Sequence, residues 1–448
     1  MKQIGKFTVC GLLGKGGMGK VFKVRYPVTG KIGAMKLLDP NPILVSLLGM
    51  KTIEDMFERE AVTMAGIRHP HVVPILDYDR VGDRLFYIMD FYGDNLGSLM
   101  GESYETEKPS RRIPVDKALT YTDQILQGLA RLHFSSLIHR DIKPFNILIT
   151  DEDTVRICDF GLSKLRHETL KSHDSLKVGS PYYAPPEQEK DPDAVDFSAD
   201  LYAVAVTLYR MVTGHLPVQP VKPPSQINRD LNPAWDRFIQ KALSASPASR
   251  FTDAEQMRAE LQTLAGMWTR QKASMSSLPS WVYDDLFAEE REERLRSVPS
   301  KIPAAEAPAL FRTDELMRPL SFIPNRFNVC GENTVIDEAT GLVWQIGGTR
   351  FPVNLQGAFE YVRTLNRARF DGSDAWRLPT AVELLSLVEP TPEGLDHGKK
   401  RIFDARQRSL WSSDRSTFIT GWYVNMELGF AGFNDFDSFY HAKAVRSL

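Results

Sequence analysis

The stretch of residues 138–149 constrains the fold of this chain more than any other part of the sequence. Between two apolar runs it places Asp141, Lys143 and Asn146 at fixed spacing. A carboxylate can accept a proton from a hydroxyl, an ammonium group can bind phosphate and an amide oxygen can hold a hard metal ion. The same residues would also suit an exposed turn. A second stretch, Cys158-Asp159-Phe160-Gly161, adds another carboxylate and favours a site over a turn.

The spacing H-R-D-x-x-x-x-N, followed by D-F-G, resembles the catalytic and metal-binding loops of protein kinases. The resemblance implies phosphoryl transfer from ATP, with Asp141 accepting the proton of the acceptor hydroxyl and Lys143 reaching the transferred phosphate. It also implies that Asn146 and Asp159 bind Mg²⁺, or Mn²⁺ in its place, while Phe160 packs in the core and orients Asp159. We therefore expect an enzyme.

A glycine-rich stretch, Leu13 to Val21, lies between two segments that alternate as strands do. Its glycines, Gly14, Gly16 and Gly19, let backbone amides approach phosphates without side chains in the way. Dinucleotide-binding folds carry a similar glycine pattern, but they need a helix after the last glycine, and here β-branched and aromatic residues follow. The pattern therefore favours a strand, loop and strand, in which the kinase resemblance places Val21 over the adenine.

The next apolar strand, residues 32–38, surrounds Lys36, and a lysine in such company usually has an anionic partner. A strand-edge lysine that points into water is the alternative. Helical periodicity places Glu60 on the face beneath the sheet, so we expect it to pair with Lys36, while Glu58 belongs to a solvated face. By resemblance, Lys36 contacts the α- and β-phosphates of ATP.

The kinase resemblance assigns further positions around the nucleotide. Met89 is expected as the gatekeeper beside the adenine, and the segment that follows it as the hinge that hydrogen-bonds the base. The expected nucleotide contacts are Leu13, Gly14, Gly16, Gly19, Val21, Ala34, Lys36, Met89, Asp90, Tyr92 and Leu148.

The polar residues after Asp159, which end in residues 179–188, resemble a kinase activation segment. Arg140 precedes the catalytic aspartate and could form a bidentate pair with a phosphate on this segment. The candidate phosphorylation sites are Thr169, Ser172 and Ser175, although serine-rich loops are common without any such role. Pro185 stands where the family usually has alanine, a departure that could alter substrate docking.

Two structural pairs are expected in the same lobe. Asp200, near the start of an apolar helix, should accept backbone amides from the catalytic loop. Residues 246–251 resemble the closing motif of the family, with serine for its usual aspartate, and Arg250 should pair with Glu187. The resemblance to bacterial Ser/Thr protein kinases of the eukaryotic (Hanks) type covers residues 7–264. Lys143 is its Ser/Thr feature, whereas spacing and composition alone do not exclude tyrosine as the acceptor.

After residue 268 the sequence becomes polar, then charged at helical spacing over residues 284–296, and then rich in proline up to Pro324. This composition predicts an extended spacer rather than a packed core. A partner-binding amphipathic helix over residues 281–295 is the alternative.

The last part of the chain is rich in aromatic and turn residues at motif positions that include Trp344, Trp376, Trp411 and Trp422. Their order and spacing over residues 335–447 resemble the Lcl C-terminal-like domain of bacterial proteins, a module related to the C-type lectin fold. We interpret the tryptophans as core residues, and we expect residues 421–441 to form a face that binds a protein partner. Asn434, Asp435 and Asp437 could supply oxygens, but a calcium site is not expected.

Composition sets the remaining limits. A chain of 448 residues should form about two or three domains, and its 25% of charged residues with a formal net charge of -2 gives no global reason to bind nucleic acid or a membrane surface. The three cysteines form no disulfide or metal spacing. No segment resembles a signal peptide or an apolar membrane span. We expect reduced thiols in a cytoplasmic protein.

These observations predict an α+β chain with a bilobal kinase fold over residues 1–264, a linker over 265–325 and a small mixed α/β, C-type-lectin-like domain over 326–448. The expected activity is that of a Ser/Thr protein kinase with a protein acceptor. The alternative is a nucleotide-binding scaffold or ligand-display protein whose C-terminal domain, in one version a target of diversity-generating retroelements, carries the function. Intact Lys36, Asp141, Asn146 and Asp159 argue against this alternative.

Overall fold

The computed structural model of the chain describes residues 2–102, 108–159, 164–165, 182–191, 195–275, 295–389, 402–404 and 406–448. The chain divides into two compact units, Met1–Thr269 and Arg270–Leu448. Several predicted features lie outside the described residues, namely Phe160 and Gly161, the sites Thr169, Ser172 and Ser175, and most of the charged helix near residue 290.

A six-stranded antiparallel sheet begins the N-terminal unit, in the order β1-β2-β3-β4-β6-β5. Its strands are β1 (Gln3–Ile4), β2 (Phe7–Lys15), β3 (Gly19–Arg25), β4 (Ile32–Leu38), β5 (Ile75–Val81) and β6 (Arg84–Asp90). One buried cluster contains side chains from four of these strands, namely Phe7, Val24, Met35 and Phe86. Because a slip of one residue would turn such side chains to the opposite face, this cluster fixes the register of the sheet.

Two helices, α1 (Pro42–Leu48) and α2 (Met50–Ala65), connect β4 to β5. The buried residues of α2 recur at helical spacing and are Ile53, Phe57, Ala61 and Met64. Phe57 stacks on Tyr87 of β6 with ring centroids 5.1 Å apart. Truncating such a buried ring costs about 3 to 5 kcal/mol, so this contact fixes the rotation of α2 and thereby the position of Glu60.

The rest of the unit is mainly helical. Its helices are α3 (Leu96–Met100), α4 (Val115–Phe134), α5 (Pro186–Lys190), α6 (Ser198–Thr213), α7 (Pro224–Ile227), α8 (Pro233–Ala242) and α9 (Ala254–Met275). Short strands, β7 (Asp94–Asn95), β8 (Leu137–Ile138), β9 (Ile147–Ile149), β10 (Val155–Ile157) and β11 (Lys164–Leu165), form the small sheets β10-β9-β7 and β11-β8. Almost every residue of α6 is buried, as its apolar sequence predicts. In the hairpin β9-β10, β9 begins where the catalytic loop ends and β10 ends just before the metal-binding loop begins.

The C-terminal unit contains two antiparallel sheets, β12-β13-β14-β18 and β15-β16-β17. Its strands are β12 (Phe327–Val329), β13 (Thr334–Asp337), β14 (Leu342–Gln345), β15 (Ser409–Arg415), β16 (Thr420–Asn425), β17 (Phe430–Asp435) and β18 (Val445–Ser447). Its helices are α10 (Ala307–Phe311), α11 (Leu355–Arg367) and α12 (Ala381–Leu385). Trp344, Trp376, Trp411 and Trp422 are all at most 3% exposed, which confirms their interpretation as core residues.

The expectation of an extended, unpacked linker before this unit is wrong for the part that the structure describes. Helix α9 continues to Met275, and Ile302, Ala307 and Phe311 belong to the core of the C-terminal unit. The indole N–H of Trp422 donates to the carbonyl of Ile302 at 2.9 Å. Proline restricts the backbone without preventing burial, and the apolar residues between the prolines gain about 25 cal/mol for each Å² they bury.

Two expectations drawn from composition can be compared directly with the structure. All three cysteines are free thiols, with Cys10 and Cys330 exposed and Cys158 partly buried. Among the helices within the described ranges, none is both long enough and apolar enough to span a lipid bilayer.

Candidate active site

Lys36 links three parts of the N-terminal unit. Its ammonium lies 3.0 Å from Glu60 Oε1 on α2 and 3.0 Å from Asp159 Oδ1 after β10. The side chains of Lys36 and Glu60 are 7% and 6% exposed, whereas that of Asp159 is half exposed. The predicted Lys36–Glu60 pair is therefore present, and the alternative of a lysine pointing into water is wrong. Glu58 is exposed, as expected.

The charges in this group control one another's protonation. Burial acts to lower the pKa of Lys36, but the adjacent carboxylates of Asp159 and Glu60 outweigh it and hold this pKa well above its ordinary value. The Lys36 ammonium in turn lowers the pKa of Asp159 to about 2. Tyr87, which the sequence did not single out, donates its hydroxyl to Glu60 Oε1 at 2.8 Å. Lys36 is thus a permanent cation and Asp159 a permanent anion near neutral pH.

The catalytic loop brings its predicted residues together around Asp141. Lys143 Nζ lies 2.7 Å from Asp141 Oδ2. The Asn146 side-chain amide donates to the same carboxylate oxygen at 3.0 Å and to the Asp141 carbonyl at 2.8 Å. The backbone amide of Cys158 donates to the Asn146 carbonyl at 3.0 Å. This bond ties the loop that carries Asn146 to the residue that precedes Asp159.

Asp200 at the start of α6 holds the other side of this loop. Its carboxylate accepts the backbone amides of His139 and Arg140 at 2.9 and 2.8 Å, and it also contacts His133 Nε2 at 2.9 Å. Burial acts to raise the pKa of Asp200, but its hydrogen bonds and the nearby histidines lower it overall. The predicted contact of Asp200 with the loop amides is present. Arg140 and Asp159 both adopt positive φ, at 70° and 62°.

Glu187 and Arg250 form the second predicted pair. The guanidinium of Arg250 binds both carboxylate oxygens of Glu187, at 2.5 and 2.8 Å. The Gln188 side chain donates to the Arg140 carbonyl at 2.8 Å, a contact for which the sequence carries no recognisable signal. Pro185 directly precedes α5 with φ near -72°, so a proline fits at this position without disturbing the helix.

The glycine-rich stretch is a turn between β2 and β3, as expected, and not the entry to a helix. Gly16 N donates to the Gly19 carbonyl at 2.8 Å. A Cβ on Gly19 would lie 2.2 Å from the carbonyl oxygen of Leu37, whereas one on Gly14 or Gly16 would meet nothing within 4 Å. Gly19 is thus required by packing, and Gly14 and Gly16 leave open space along the turn.

The other predicted nucleotide contacts lie on several strands and, for Tyr92, just after β6. Ala34 on β4 pairs with Met89 on β6, Leu13 and Val21 flank the turn, and Leu148 lies on β9. The Asp90 side chain binds Lys31 at 2.9 Å, so any contact of Asp90 with adenine would come from its backbone. Burial raises the pKa of Tyr92 to about 12, and its ring lies against Arg156.

Comparison with known proteins identifies the class. The protein kinase domain family matches residues 7–266, more than half of the chain, so the chain belongs to the protein kinase family. The Lcl C-terminal domain family matches residues 333–446. The protein is therefore a kinase-family chain of the bacterial Hanks type fused to an Lcl C-terminal domain. Protein kinases use ATP and a divalent metal ion in general.

The similar proteins are bacterial. Serine/threonine-protein kinase pkn3 of Myxococcus xanthus is 31% identical over 61% of this chain and 52% of its own length. Serine/threonine-protein kinase PksC of Streptomyces coelicolor is 33% identical over 61% of this chain and 51% of its own. The solved PknI kinase domain of Mycobacterium tuberculosis is 25% identical, covers 59% of this chain and 97% of its own, and has a TM-score of 0.45. The chain spans about half the length of these curated relatives.

The predicted binding face of the C-terminal unit differs from expectation. Most of residues 421–441 is buried, and Phe433 and Phe439 are its only exposed side chains. Asn434 and Asp435 accept backbone amides of Asp435 and Asp437, respectively. Within the described ranges, no group of three or more His, Cys, Asp or Glu could hold a metal ion. The aromatic residues of this stretch therefore serve mainly the core.

Proposed function

We propose that this chain transfers the γ-phosphoryl group of ATP to serine or threonine hydroxyls of proteins. The observation that supports this most directly is the group formed by Lys36, Glu60 and Asp159 beside a catalytic loop in which Asp141 contacts both Lys143 and Asn146. Phosphoryl transfer depends mainly on positioning and on stabilising charge. This group provides both in one rigid cluster.

Each residue has a distinct proposed role. Glu60 holds the Lys36 ammonium where it can bind the α- and β-phosphates, which would then compete with Asp159 for it. Asp141 would accept the proton of the acceptor hydroxyl, and Lys143 beside it would neutralise charge on the transferred group. The buried Asp200 carboxylate, which accepts the amides of His139 and Arg140, would hold the loop that carries Asp141 at the start of α6.

The metal ligands would be Asn146 and Asp159. Mg²⁺ is usually bound by one or two carboxylates together with substrate phosphates and water, and this donor set fits one amide oxygen and one carboxylate. Asp159 remains ionised because Lys36 lowers its pKa to about 2. When bound, the metal would neutralise charge on the β- and γ-phosphates. Mn²⁺, which also prefers oxygen ligands, is the alternative.

The direct test measures incorporation of radiolabelled phosphate from ATP into the chain itself and into a generic acceptor protein. Asp141→Asn should lower incorporation by at least about a hundredfold, because the proposed base is lost. Asp77→Asn provides a matched control, since Asp77 pairs with Lys6 on the surface. Equal incorporation in wild type and Asp141→Asn would favour the scaffold alternative instead.

We further propose that the activation segment is regulated by phosphate at Thr169, Ser172 or Ser175, with Arg140 as the cationic partner. Mass spectrometry after incubation with ATP would identify modified residues, and phosphatase treatment should lower activity several-fold. A segment that stays unmodified in fully active enzyme would contradict the proposal.

The C-terminal unit is proposed to recruit the protein acceptor and so raise its effective concentration at the active site. Its two exposed aromatic residues, Phe433 and Phe439, are the strongest remaining support on the predicted face. Because residues 302–311 contribute to the core of this unit, a clean deletion removes residues 276–448 rather than starting at residue 325. The shortened chain should phosphorylate a generic acceptor normally and a native partner poorly.

A further inference from the structure

A buried charged pair lies beside the catalytic loop and has no part in the chemistry proposed above. The side chains of Arg210 on α6 and Glu102 after α3 are 1% and 0% exposed. Arg210 Nη1 lies 3.7 Å from Glu102 Oε1, which is an ion pair but too long for a hydrogen bond. Arg210 Nη2 donates to the carbonyl of Lys108 at 3.3 Å.

Tyr183 completes this network. Its hydroxyl donates to Glu102 Oε1 at 2.9 Å, and the whole residue is 3% exposed. Burial raises the pKa of both Glu102 and Tyr183. Tyr183 therefore stays a neutral hydrogen-bond donor at any pH at which the protein works.

The network is not explained by stability alone. Glu102 Oε2 and the Nε and Nη1 atoms of Arg210 are buried without a hydrogen-bond partner of good geometry among the described residues. Replacing a buried ion pair with apolar residues of similar size is often neutral or stabilising. A charged pair with incomplete hydrogen bonding therefore calls for another role, such as fixing one conformation of the chain around it.

The position of Tyr183 indicates which conformation is fixed. Tyr183, Ala184 and Pro185 lie next to Arg140 and Asp141, around a gap in the packing that is too small to admit water. A protein acceptor must bring its hydroxyl within hydrogen-bond reach of Asp141. The backbone of residues 183–185 consequently borders the surface over which the acceptor chain has to pass.

We propose that Glu102, Arg210 and Tyr183 are positioning residues that hold residues 182–185 beside Asp141 and thereby set the affinity for the protein acceptor. The proposal rests on the kinase function proposed above. None of the three side chains contacts Lys36, Asn146 or Asp159 through a described hydrogen bond or ion pair. Nucleotide binding should therefore be insensitive to them.

Steady-state kinetics of the full chain separate the two kinds of binding. Tyr183→Phe removes one hydrogen bond to a carboxylate and should raise the KM for a generic acceptor, such as casein, by roughly tenfold. The KM for ATP should change less than twofold. Tyr209→Phe is the matched control. Tyr209 lies on α6 like Arg210, but its hydroxyl donates to the Lys222 carbonyl, which is not part of the network. It should leave both constants unchanged.

A pair of variants tests Arg210. Arg210→Met leaves the Glu102 carboxylate buried without a counter-ion and should raise the KM for the protein acceptor. The double variant Arg210→Met with Glu102→Gln removes that buried charge and keeps an oxygen that can accept the Tyr183 hydroxyl. It should restore the KM for the protein acceptor. Amide hydrogen exchange over residues 182–191 gives a readout that needs no turnover. Exchange should accelerate in Arg210→Met and return towards wild type in the double variant.

These readouts keep the two proposals distinct. Absence of phosphorylation in wild type would remove the kinase function, and hydrogen exchange would still decide whether the network holds residues 182–185. An unchanged acceptor KM in Tyr183→Phe, an equal rise in the KM for ATP, or unchanged exchange in Arg210→Met would overturn the positioning role.

Discussion

The catalytic loop region and the aromatic core of the C-terminal unit hold distant parts of the chain together in different ways. In the first, polar side chains such as Lys36 and Asp200 form paired contacts at defined atoms. In the second, large rings such as Trp422 and Phe311 pack edge to face, with centroids 4.9 Å apart. The polar pairs fix the positions of charged groups, whereas the ring packing fixes how the strands and helices fit together. The first region therefore supports the proposed reaction, and the second defines a fold without indicating a ligand.

The largest change in stability is expected from a substitution in the aromatic core. Trp422→Ala should destabilise the C-terminal unit by about 3 to 5 kcal/mol, because it leaves a cavity and removes the bond to Ile302. Phe439→Ala, at a half-exposed ring, should cost less than about 1 kcal/mol. Urea unfolding measures both values. The KM for ATP should be unaffected, and a change in Trp422→Ala would show that the two regions are coupled.

The polar region should show the opposite pattern, with lost chemistry and a retained fold. Lys36→Ala and Asp159→Ala should each lower kcat/KM by roughly a hundredfold or more, because each removes a contact to phosphate or metal during transfer. Lys241→Ala, which breaks a surface pair with Glu260, serves as the control. Circular dichroism should show the same folded spectrum for all three. Retained turnover in either site variant would refute its assigned role.

A smaller effect is expected where a polar pair has a structural role only. Arg250→Met leaves Glu187 without its cation and should lower the free energy of unfolding by about 2 to 3 kcal/mol, near the lower end of the range for buried pairs because Glu187 is 21% exposed. Adding Glu187→Gln should recover part of that loss. The remainder would reflect the contacts of Arg250 with Ser244 and the Tyr202 ring. No recovery would mean that the pair itself contributes little.

The smallest expected effect is a loss of folding stability at acidic pH. Lys36 lowers the pKa of Asp159 from 3.8 to about 2, so the ionised carboxylate favours the folded state above about pH 4. That contribution is lost as the pH falls from 4 through 2. In Lys36→Met the pKa of Asp159 should rise towards or above its unfolded value, so this loss of stability in acid should shrink or disappear. Urea midpoints measured at pH 5 and pH 3 for wild type and variant would reveal any difference.

Sequence alone predicted the contacts that a motif specifies. The pairs of Lys36 with Glu60 and of Arg250 with Glu187 join residues far apart in the chain, yet each residue stands at a recognisable motif position. Glu102 and Arg210 have no such signal, because a buried ion pair between a position just after α3 and an unmarked position on α6 leaves no periodicity or spacing to detect. Only the folded chain brings them together.

In two stretches the structure buries more than composition suggested, for a physical reason that the two stretches share. The prolines around Ile302 predicted an extended spacer, yet Ile302, Ala307 and Phe311 lie in the core. The aromatic residues from Gly421 to His441 predicted a binding face, yet most of that stretch is buried. Composition reports what a side chain can do, but burial depends on whether a neighbouring surface is available to cover it. For Trp422 in the second stretch, part of that surface is supplied by Ile302 and Phe311 of the first stretch.

The positive φ angles of Arg140 and Asp159 have a consequence for the evolution of this chain. A residue other than glycine held in that conformation costs of order 1 to 3 kcal/mol, and glycine at either position would remove that cost. Asp159→Gly would nevertheless erase a proposed metal ligand, and Arg140→Gly a proposed phosphate partner. Selection for stability and selection for activity therefore act in opposite directions at these two positions.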